Sequence, residues 1–324
     1  MRKPKVYIAK KIPKEVEYYI GEFCDYEKWE SEEPIPRDEL LKKIGDKDGV
    51  LLSGFKIDEE FLDHAKNLSV VSNISVGYNN FDLEIMKKRN IIGTTTPNVL
   101  EDTVADLIFG LILSTGRRIS ELDRYVKDGK WKLEDDKIFF GVDVHHSTIG
   151  IIGMGRIGEA VAKRAKLGFD MDVLYYNRHR KYDVEKKLGA QYCDLHSLLK
   201  KADFIVVMVP LTNETYHLID AEEFSMMKKT AIFINASRGD TVNEEALIQT
   251  LQNKSIFGAG LDVYEKEPID VNNSLLKMKN VVTLPHLGSA VEKTRDDMAM
   301  SAAKNLVKAL LGETPIDIVM ELKK

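Results

Sequence analysis

Short β-branched runs alternate with helix-length segments along almost the whole chain, and this alternation constrains the fold more than any other feature. The runs form an early series at residues 5–9, 50–53, 68–74 and 91–94. A later series follows at 148–152, 173–176, 204–208, 231–234, 257–261 and 281–284. Strands that alternate with helices form parallel sheets covered by crossover helices. The pattern therefore predicts an α/β protein with two doubly wound parallel-sheet domains.

Two long helical segments set the predicted domain boundaries. One segment, 101–118, separates the two series, and the other, 290–311, follows the second series. A last helix in that position returns the chain to pack on the first series, so the first domain is discontinuous. We predict a Rossmann cofactor domain over residues 101–287, inserted in a flavodoxin-like substrate domain of residues 1–100 and 288–324.

Composition excludes several classes of partner. The net charge is −5 at pH 7, and no cluster of Lys and Arg offsets it, so the sequence does not favour binding to nucleic acid. No segment approaches the roughly 20 apolar residues of a membrane-spanning helix. Cys24 and Cys193 are too far apart in sequence for a CxxC metal motif and are expected to be free thiols. We expect a cytoplasmic protein without membrane partners.

The run at 148–152 leads directly into a GxGxxG motif formed by Gly153, Gly155 and Gly158, and residues 159–166 have a helical pattern. Strand, glycine motif and helix together predict a dinucleotide site. The first glycine permits a tight turn, the second lets a pyrophosphate approach the backbone, and the third lets the helix lie close to the strand. The helix N-terminus then supplies amide donors for the phosphates.

Cofactor choice is predicted from the end of the next strand. An NAD enzyme places a carboxylate there, about 20 residues on, to bind the ribose 2′-hydroxyl. This chain has Asn177, followed by Arg178, His179, Arg180 and Lys181. The loop lacks the acid and offers cations to a 2′-phosphate, so the sequence favours NADPH. A solvated basic loop is the structural alternative, which leaves NAD as the other cofactor.

Four further residues follow predicted strands of the second series: Arg238, Asp262, Glu267 and His286. The carboxyl ends of parallel strands form the ligand crevice of a doubly wound sheet. Reduction of a ketone needs a proton donor, and histidine suits that task near neutral pH. A glutamate favours the charged imidazole. Arginine can bind the keto oxygen and the carboxylate oxygens of a 2-keto acid together.

Each of these residues, taken singly, has a structural interpretation as a packed histidine, a surface carboxylate or a surface cation. Their joint occurrence behind a nucleotide-binding motif favours the catalytic interpretation. The alternative class is a cofactor-sensing interaction protein without enzymatic activity.

The quoted motifs resemble a known family. The most specific segments are residues 141–159 (GVDVHHSTIGIIGMGRIGE), 192–195 (YCDL) and 231–236 (AIFINA). They are similar to D-isomer-specific 2-hydroxyacid dehydrogenases, and more narrowly to the bacterial glyoxylate/hydroxypyruvate reductases that also act as 2-ketogluconate reductases. The resemblance extends over essentially the whole chain. It implies reduction of a small 2-keto acid to the D-2-hydroxy acid, with an NADH-preferring dehydrogenase for another keto acid as the alternative.

The resemblance also implies roles for individual residues. Arg238, Glu267 and His286 correspond to the catalytic residues, and Asp262 to the residue that orients the nicotinamide carboxamide. The implied cofactor contacts further include Thr103, Arg156, Ile157, Val209, Pro210 and Ala236. The amides of Val76 and Gly77, with Ser53 nearby, are implied to bind the substrate.

Family members are typically homodimers joined through the cofactor domain, here including about residues 101–147. Trp131, Phe139 and Phe140 suit such a contact, and an intrachain core is equally compatible with each of them. One departure is Asn79, where the family more often has aspartate. The asparagine removes a charge beside the loop implied to bind the substrate. Glu267 stands where a formate dehydrogenase carries glutamine, which argues against formate as the substrate.

Overall fold

The computed structural model describes residues 2–135 and 139–323, and its contacts divide the chain into two units. One unit comprises Met1–Leu100 and Ala290–Lys324, and the other comprises Glu101–Ser289. Each unit is built on one sheet whose strands pair in parallel. This architecture confirms the predicted α/β fold class.

The first unit has strands β1 (Lys5–Ile8), β2 (Asp25–Lys28), β3 (Gly49–Leu52), β4 (Val70–Asn73) and β5 (Ile92–Thr94). Its helices are α1 (Lys14–Phe23), α2 (Arg37–Lys43), α3 (Glu59–His64), α4 (Leu83–Lys88) and, at the far end of the chain, α12 (Glu292–Leu310). The strand order is β2-β1-β3-β4-β5. This is the flavodoxin-like order of a doubly wound sheet.

Strand β2 was not predicted because its sequence, Asp-Tyr-Glu-Lys, is polar. It lies at the edge of the sheet, where it pairs only with β1 among the described strands. The strands β3 and β4 are instead buried along their full length, and α12 packs against both. A strand covered on both faces favours apolar residues, and the buried Ser72 of β4 is accommodated by a hydrogen bond to the Ala302 carbonyl of α12 (2.7 Å), whereas an edge strand can be polar.

The second unit has strands β6 (Thr148–Ile152), β7 (Asp172–Tyr176), β8 (Gln191–Tyr192), β9 (Phe204–Val207), β10 (Ile232–Asn235), β11 (Gly258–Leu261) and β12 (Val281–Thr283). Its helices are α5 (Glu101–Gly116), α6 (Ile119–Lys127), α7 (Arg156–Phe169), α8 (Tyr182–Leu188), α9 (Leu195–Lys201), α10 (Ala221–Met226) and α11 (Glu244–Gln252). The strand order is β12-β11-β10-β9-β6-β7-β8. The first strand of the unit, β6, is central, with β7 and β8 on one side and β9 to β12 on the other, as in a Rossmann sheet. The two-residue β8 was also not predicted.

Helix α5 forms a buried layer of the second unit. It packs on α7 and on β11, and the rings of Phe109 and Phe169 stack at 4.9 Å between their centroids. The helix is apolar on most of its surface because it contacts both a helix and the sheet. Because the strands are parallel, their carboxyl ends lie along one edge of this sheet. The candidate catalytic residues are in the loops that follow these ends.

The two cysteines are free, as predicted. Cys24 is buried, and burial raises the pKa of its thiol to about 11. Within residues 2–135 and 139–323, the structure contains no helix with both the length and the apolar character that crossing a membrane requires.

The segment after α12 is held by Asn305, whose side chain is buried within the first unit. Its Oδ1 accepts from the amides of Ile316 (3.1 Å) and Asp317 (3.3 Å). Its Nδ2 donates to the Asp317 carboxylate at 3.0 Å and to the Thr95 carbonyl at 3.4 Å. The side-chain amide of Asn305 therefore links the segment around Asp317 to α12 through three hydrogen bonds.

Replacing Asn305 with alanine is expected to lower the free energy of unfolding by about 2 kcal/mol, because the part-buried amides of Ile316 and Asp317 lose their acceptor. Chemical denaturation of the variant and the wild type measures the difference. Lys304→Ala, at an exposed position of the same helix, is the matched control and is expected to change stability little. Equal stability of Asn305→Ala and wild type would contradict the assigned role.

Candidate active site

The predicted site residues of the second unit follow the carboxyl ends of its strands. Gly153 follows β6, Asn177 follows β7, Val209 and Pro210 follow β9, Ala236 and Arg238 follow β10, Asp262 follows β11, and His286 follows β12. Thr103 is the exception, since it lies in the first turn of α5. Parallel strands place these loops along one edge, which is where doubly wound sheets bind ligands.

The glycine turn has the geometry that a dinucleotide requires. Gly153 has φ +106°, and a Cβ there would lie 2.6 Å from the carbonyl oxygen of Met208. A Cβ on Gly158 would lie 2.3 Å from the carbonyl oxygen of Gly153. Gly155 has open space around it, and among the described residues no side chain caps the first amides of α7. The residues present therefore fit a pyrophosphate at this helix N-terminus.

The two arginines of the basic loop have different surroundings. Arg180 forms two hydrogen bonds to Glu185, at 2.7 and 2.8 Å, and lies 5.0 Å from the ring centroid of Tyr182. Arg178 is exposed, and within the described part of the chain its guanidinium has no hydrogen bond or ion pair. Asn177 Nδ2 donates to the carbonyl of His179 at 2.8 Å, which shapes the loop. Arg178 is thus the freer cation for a ligand.

Glu185 holds this loop through two partners and was not predicted from the sequence. Its Oε1 accepts from Tyr175 Oη at 2.7 Å as well as from Arg180. The hydrogen bonds from Arg180 and Tyr175 lower the pKa of Glu185 to about 2. Tyr175 Oη also accepts from the Lys181 amide at 2.7 Å. No motif signals this network, because an Arg and a Glu five residues apart are common on surfaces.

His286 and Glu267 form the central pair of the site. His286 Nδ1 lies 2.7 Å from Glu267 Oε2, and the side chains are 48% and 36% exposed. Glu267 Oε1 accepts from the amide of Tyr264 at 3.1 Å, which fixes the carboxylate. Burial raises the pKa of Glu267, but the hydrogen bonds from His286 and the Tyr264 amide and the charges of His286 and Arg238 together outweigh burial, so the net pKa lies below its usual range. Glu267 is therefore ionised at neutral pH.

Asp262 anchors the loop that carries His286. Its Oδ1 accepts from the Leu287 amide at 2.6 Å and its Oδ2 from the Gly288 amide at 2.8 Å. The amide of His286 itself donates to the Asp262 carbonyl at 3.0 Å. Burial raises the pKa of Asp262, and these side-chain hydrogen bonds act against it. The sequence did not predict this anchoring function.

Arg238 is half-buried at the start of a 3₁₀ turn, Gly239–Thr241. Its carbonyl accepts from Thr241 Oγ1 at 2.6 Å and from Asn235 Nδ2 at 3.0 Å. Burial lowers the pKa of the guanidinium, and the charge of Glu267 opposes this effect. A cation that is partly withdrawn from water is a strong binding group for an anion.

The predicted substrate residues Ser53, Val76 and Gly77 lie in the first unit. Ser53 follows β3, and the other two follow β4. All three are half-buried. Asn73 Nδ2 donates to the Gly77 carbonyl at 2.9 Å, which fixes the loop in a turn. Their contact with a substrate stays a prediction.

The chain is similar in sequence to known proteins. A family model, D-isomer specific 2-hydroxyacid dehydrogenase, NAD binding domain, matches residues 109–288. A relative from Yersinia pestis (strain Pestoides F), a glyoxylate/hydroxypyruvate reductase B, is 46% identical over 310 residues, which are 96% of this chain and 95% of the relative.

Solved structures give the same result. A protein from Thermus thermophilus superposes with a TM-score of 0.89 at 38% identity, over 98% of this chain and 100% of the other. An NADPH-dependent glyoxylate/hydroxypyruvate reductase from Sinorhizobium meliloti, in complex with NADP and malonate, has a TM-score of 0.84 at 31% identity. That similarity covers 99% of this chain and 98% of the other.

Replacing Asp262 with asparagine is expected to leave one of the two amides, that of Leu287 or that of Gly288, without its acceptor, because the side chain keeps only one acceptor oxygen. Hydrogen exchange of peptides that cover residues 284–290 should become faster, and stability should fall by roughly 1–3 kcal/mol. Asp270→Asn is the matched control, since exposed Asp270 also accepts from a backbone amide (Asn272, 2.8 Å). Unchanged exchange in Asp262→Asn would show that the carboxylate is not the anchor.

Proposed function

Since the chain belongs to the D-isomer specific 2-hydroxyacid dehydrogenase family, we propose that it reduces glyoxylate, hydroxypyruvate or 2-ketogluconate to the 2-hydroxy acid, with NADPH preferred. The observation that carries this proposal is the pair formed by His286 and Glu267 at the strand edge that also bears the dinucleotide turn. The names of the Yersinia and Sinorhizobium relatives support glyoxylate and hydroxypyruvate as substrates, the latter's bound NADP supports the cofactor, and 2-ketogluconate rests on the family resemblance alone.

His286 is proposed as the acid that protonates the keto oxygen. Its Nδ1 is engaged by Glu267 at 2.7 Å, which leaves Nε2 for the substrate. The ionised Glu267 stabilises the imidazolium until charge develops on the oxygen. In the reverse direction the neutral imidazole removes the proton from the hydroxyl group. A nicotinamide cofactor bound in its reduced form would supply the hydride.

Arg238 is proposed to bind the carboxylate and keto oxygens of the substrate. A half-buried guanidinium keeps its charge and offers two parallel donors to such an anion. In the first unit, the amides of Val76 and Gly77, with Ser53, are proposed to bind the carboxylate of the substrate. A loop with a glycine suits this task, because amides can converge on an anion without a competing side chain.

The cofactor is proposed to bind along the second unit's strand edge. The turn from Gly153 to Gly158, with the amides of Arg156 and Ile157 and the Thr103 side chain, would hold the phosphates. Val209, Pro210 and Ala236 would line the nicotinamide side. Asp262 would orient the carboxamide with lone pairs that its two amide donors leave over.

Arg178, rather than Arg180, is proposed as the main ligand of the 2′-phosphate. The guanidinium of Arg180 already binds Glu185, so its contribution is to hold the loop in shape. Arg178 lies within the electrostatic range of Glu214, whose pKa is lowered first by Thr212 and in part by this arginine. His179 is exposed beside it and can add a further donor.

A homodimer and a cytoplasmic location are further proposals from the family resemblance and the composition. Trp131 and Phe140 are 61% and 71% exposed, which suits a contact with a second copy. Phe139 instead lies edge-on to Tyr125, at 5.8 Å between centroids. Residues 136–138 of the proposed contact segment lie outside the described residues.

The function is tested by initial rates of NADPH and NADH oxidation with glyoxylate, hydroxypyruvate, 2-ketogluconate and pyruvate. Turnover with NADPH favoured is the expected result, and His286→Ala should lower kcat by roughly 10²–10⁴-fold, as loss of a general acid does. Faster turnover with NADH would overturn the cofactor preference alone. No turnover of any keto acid would favour the cofactor-sensing protein instead.

The two arginines are separated by the variants Arg178→Ala and Arg180→Ala. Loss of a charge-assisted contact to phosphate costs about 1.5–3 kcal/mol, so Arg178→Ala should raise the KM for NADPH by roughly 10–100-fold. Its KM for NADH should stay unchanged, which provides the internal control. Arg180→Ala should have the smaller effect on NADPH. The opposite ranking would reassign the phosphate to Arg180.

A further inference from the structure

His217 lies between the two loops that present the proposed catalytic residues. It belongs to the connection from β9 to α10, and its amide donates to the Asp240 carbonyl at 2.8 Å. Its ring Nε2 lies 3.0 Å from Glu265 Oε1. Asp240 is two positions after Arg238, and Glu265 is two positions before Glu267. His217 therefore contacts both loops, and each contact is two residues away from the proposed functional residue of that loop.

The two loops also touch through their backbones. A Cβ on Gly239 would lie 1.9 Å from the carbonyl carbon of Tyr264 and 2.3 Å from the amide nitrogen of Glu265. Only a glycine permits this approach. The position of the arginine loop is thus coupled directly to that of the glutamate turn, and a shift of either loop displaces the other.

The conformation of His217 is costly without compensating contacts. Its φ of +49° is in the left-handed region, where a Cβ crowds the following carbonyl oxygen. The ring stacks on Tyr216 at 4.0 Å, with 14° between the planes. Nε2 is buried, and within the described residues it lacks a hydrogen bond of good geometry. Its 3.0 Å contact with Glu265 is therefore a close approach of the buried imidazole nitrogen to a carboxylate oxygen, and it is the contact that favours this strained histidine.

Glu265 connects this contact to a helix. Its Oε1, the oxygen that faces His217, also accepts from the Glu244 amide at 2.9 Å, at the start of α11. The Glu265 amide in turn donates to Glu244 Oε2 at 3.2 Å. The glutamate turn is therefore fixed on one side by α11 and on the other by His217.

The charges around the contact explain why a histidine suits it. Burial raises the pKa of Asp240, the charge of Glu265 raises it further, and His217 lowers it. Glu267 adds a smaller repulsion. Three carboxylates thus lie within electrostatic range of one another beside the proposed active site. The imidazole of His217 is the basic group placed between two of them.

We propose that His217 is a positioning residue, which holds the Arg238 loop and the Glu267 turn in register by contacting the Asp240 backbone and the Glu265 carboxylate. This inference rests on the proposed function, because it assigns the purpose of the contact to Arg238 and Glu267. His217 acts through these loops and does not itself touch the substrate.

The first test is His217→Gly. Glycine adopts the positive φ without strain and keeps the amide that binds Asp240, so the melting temperature should not fall. Loss of the ring should release the glutamate turn and lower kcat by roughly 10-fold, as small misplacements of catalytic groups do. The KM for NADPH should stay unchanged. A merely structural residue would instead lower the melting temperature and leave kcat unaltered.

The matched control is His146→Gly. His146 also has a positive φ, +57°, and its Nδ1 lies 3.3 Å from Asp170, but both side chains are more than two-thirds exposed. The same substitution is therefore made at the same kind of backbone position, away from the catalytic loops. Its kcat should equal that of the wild type. An equal loss of kcat in both variants would overturn the proposal.

The partner is tested with Glu265→Gln, which keeps an acceptor for the Glu244 amide and removes the charge opposite His217. If the contact acts as proposed, the double variant with His217→Gly should be no slower than the slower single variant. Independent, additive losses would overturn the pairing.

Hydrogen exchange on the protein without ligands gives a readout that does not depend on activity. His217→Gly should accelerate exchange in peptides covering residues 238–242 and 264–268, and His146→Gly should not. A wild type that reduces no keto acid would end the proposed function, while this measurement would still show whether His217 couples the two loops. Unchanged exchange together with unchanged kcat would overturn the inference.

Discussion

The candidate site depends on one buried carboxylate, Asp262, at the end of β11. Its two oxygens accept from the amides of Leu287 and Gly288, and its carbonyl accepts from the amide of His286. A carboxylate that is withdrawn from water requires such donors, and here they come from the loop after the neighbouring strand β12. The requirement to satisfy this one buried group therefore determines where the loop with the proposed proton donor lies.

The same principle separates the roles of the two arginines in the basic loop. Arg180 is satisfied by Glu185 and shapes the loop, whereas Arg178 is exposed and has no ion pair within the described residues. A guanidinium whose hydrogen bonds are already made contributes rigidity, and one whose donors face water can bind a ligand. Arg238 differs from both, since it is half-buried with the charge of Glu267 nearby. Residue type alone does not distinguish these cases, since all three are arginines.

The sequence predicted what periodicity and glycine spacing encode. The buried strands and the glycine turn follow from the apolar runs and from Gly153, Gly155 and Gly158, because each reflects a local backbone requirement. The family was instead identified by the resemblance of segments 141–159, 192–195 and 231–236. The strands β2 and β8 were missed because edge strands need few apolar residues. Contacts such as Glu185 with Tyr175, or the Asp262 carboxylate with two amides, join loops distant in sequence. No local pattern indicates them.

Three of the residues with left-handed backbone among those described are histidines, and each faces a carboxylate. The distances are 3.3 Å for His146 and Asp170, 3.0 Å for His217 and Glu265, and 2.7 Å for His286 and Glu267. Water screens the exposed first pair, so its contact offsets little of the backbone strain. The other two pairs are less exposed, and their carboxylates lie two residues apart on one turn. Strain at two histidines is thus balanced by one acidic turn, which couples the geometry of the proposed proton donor to that of the loop bearing Arg238.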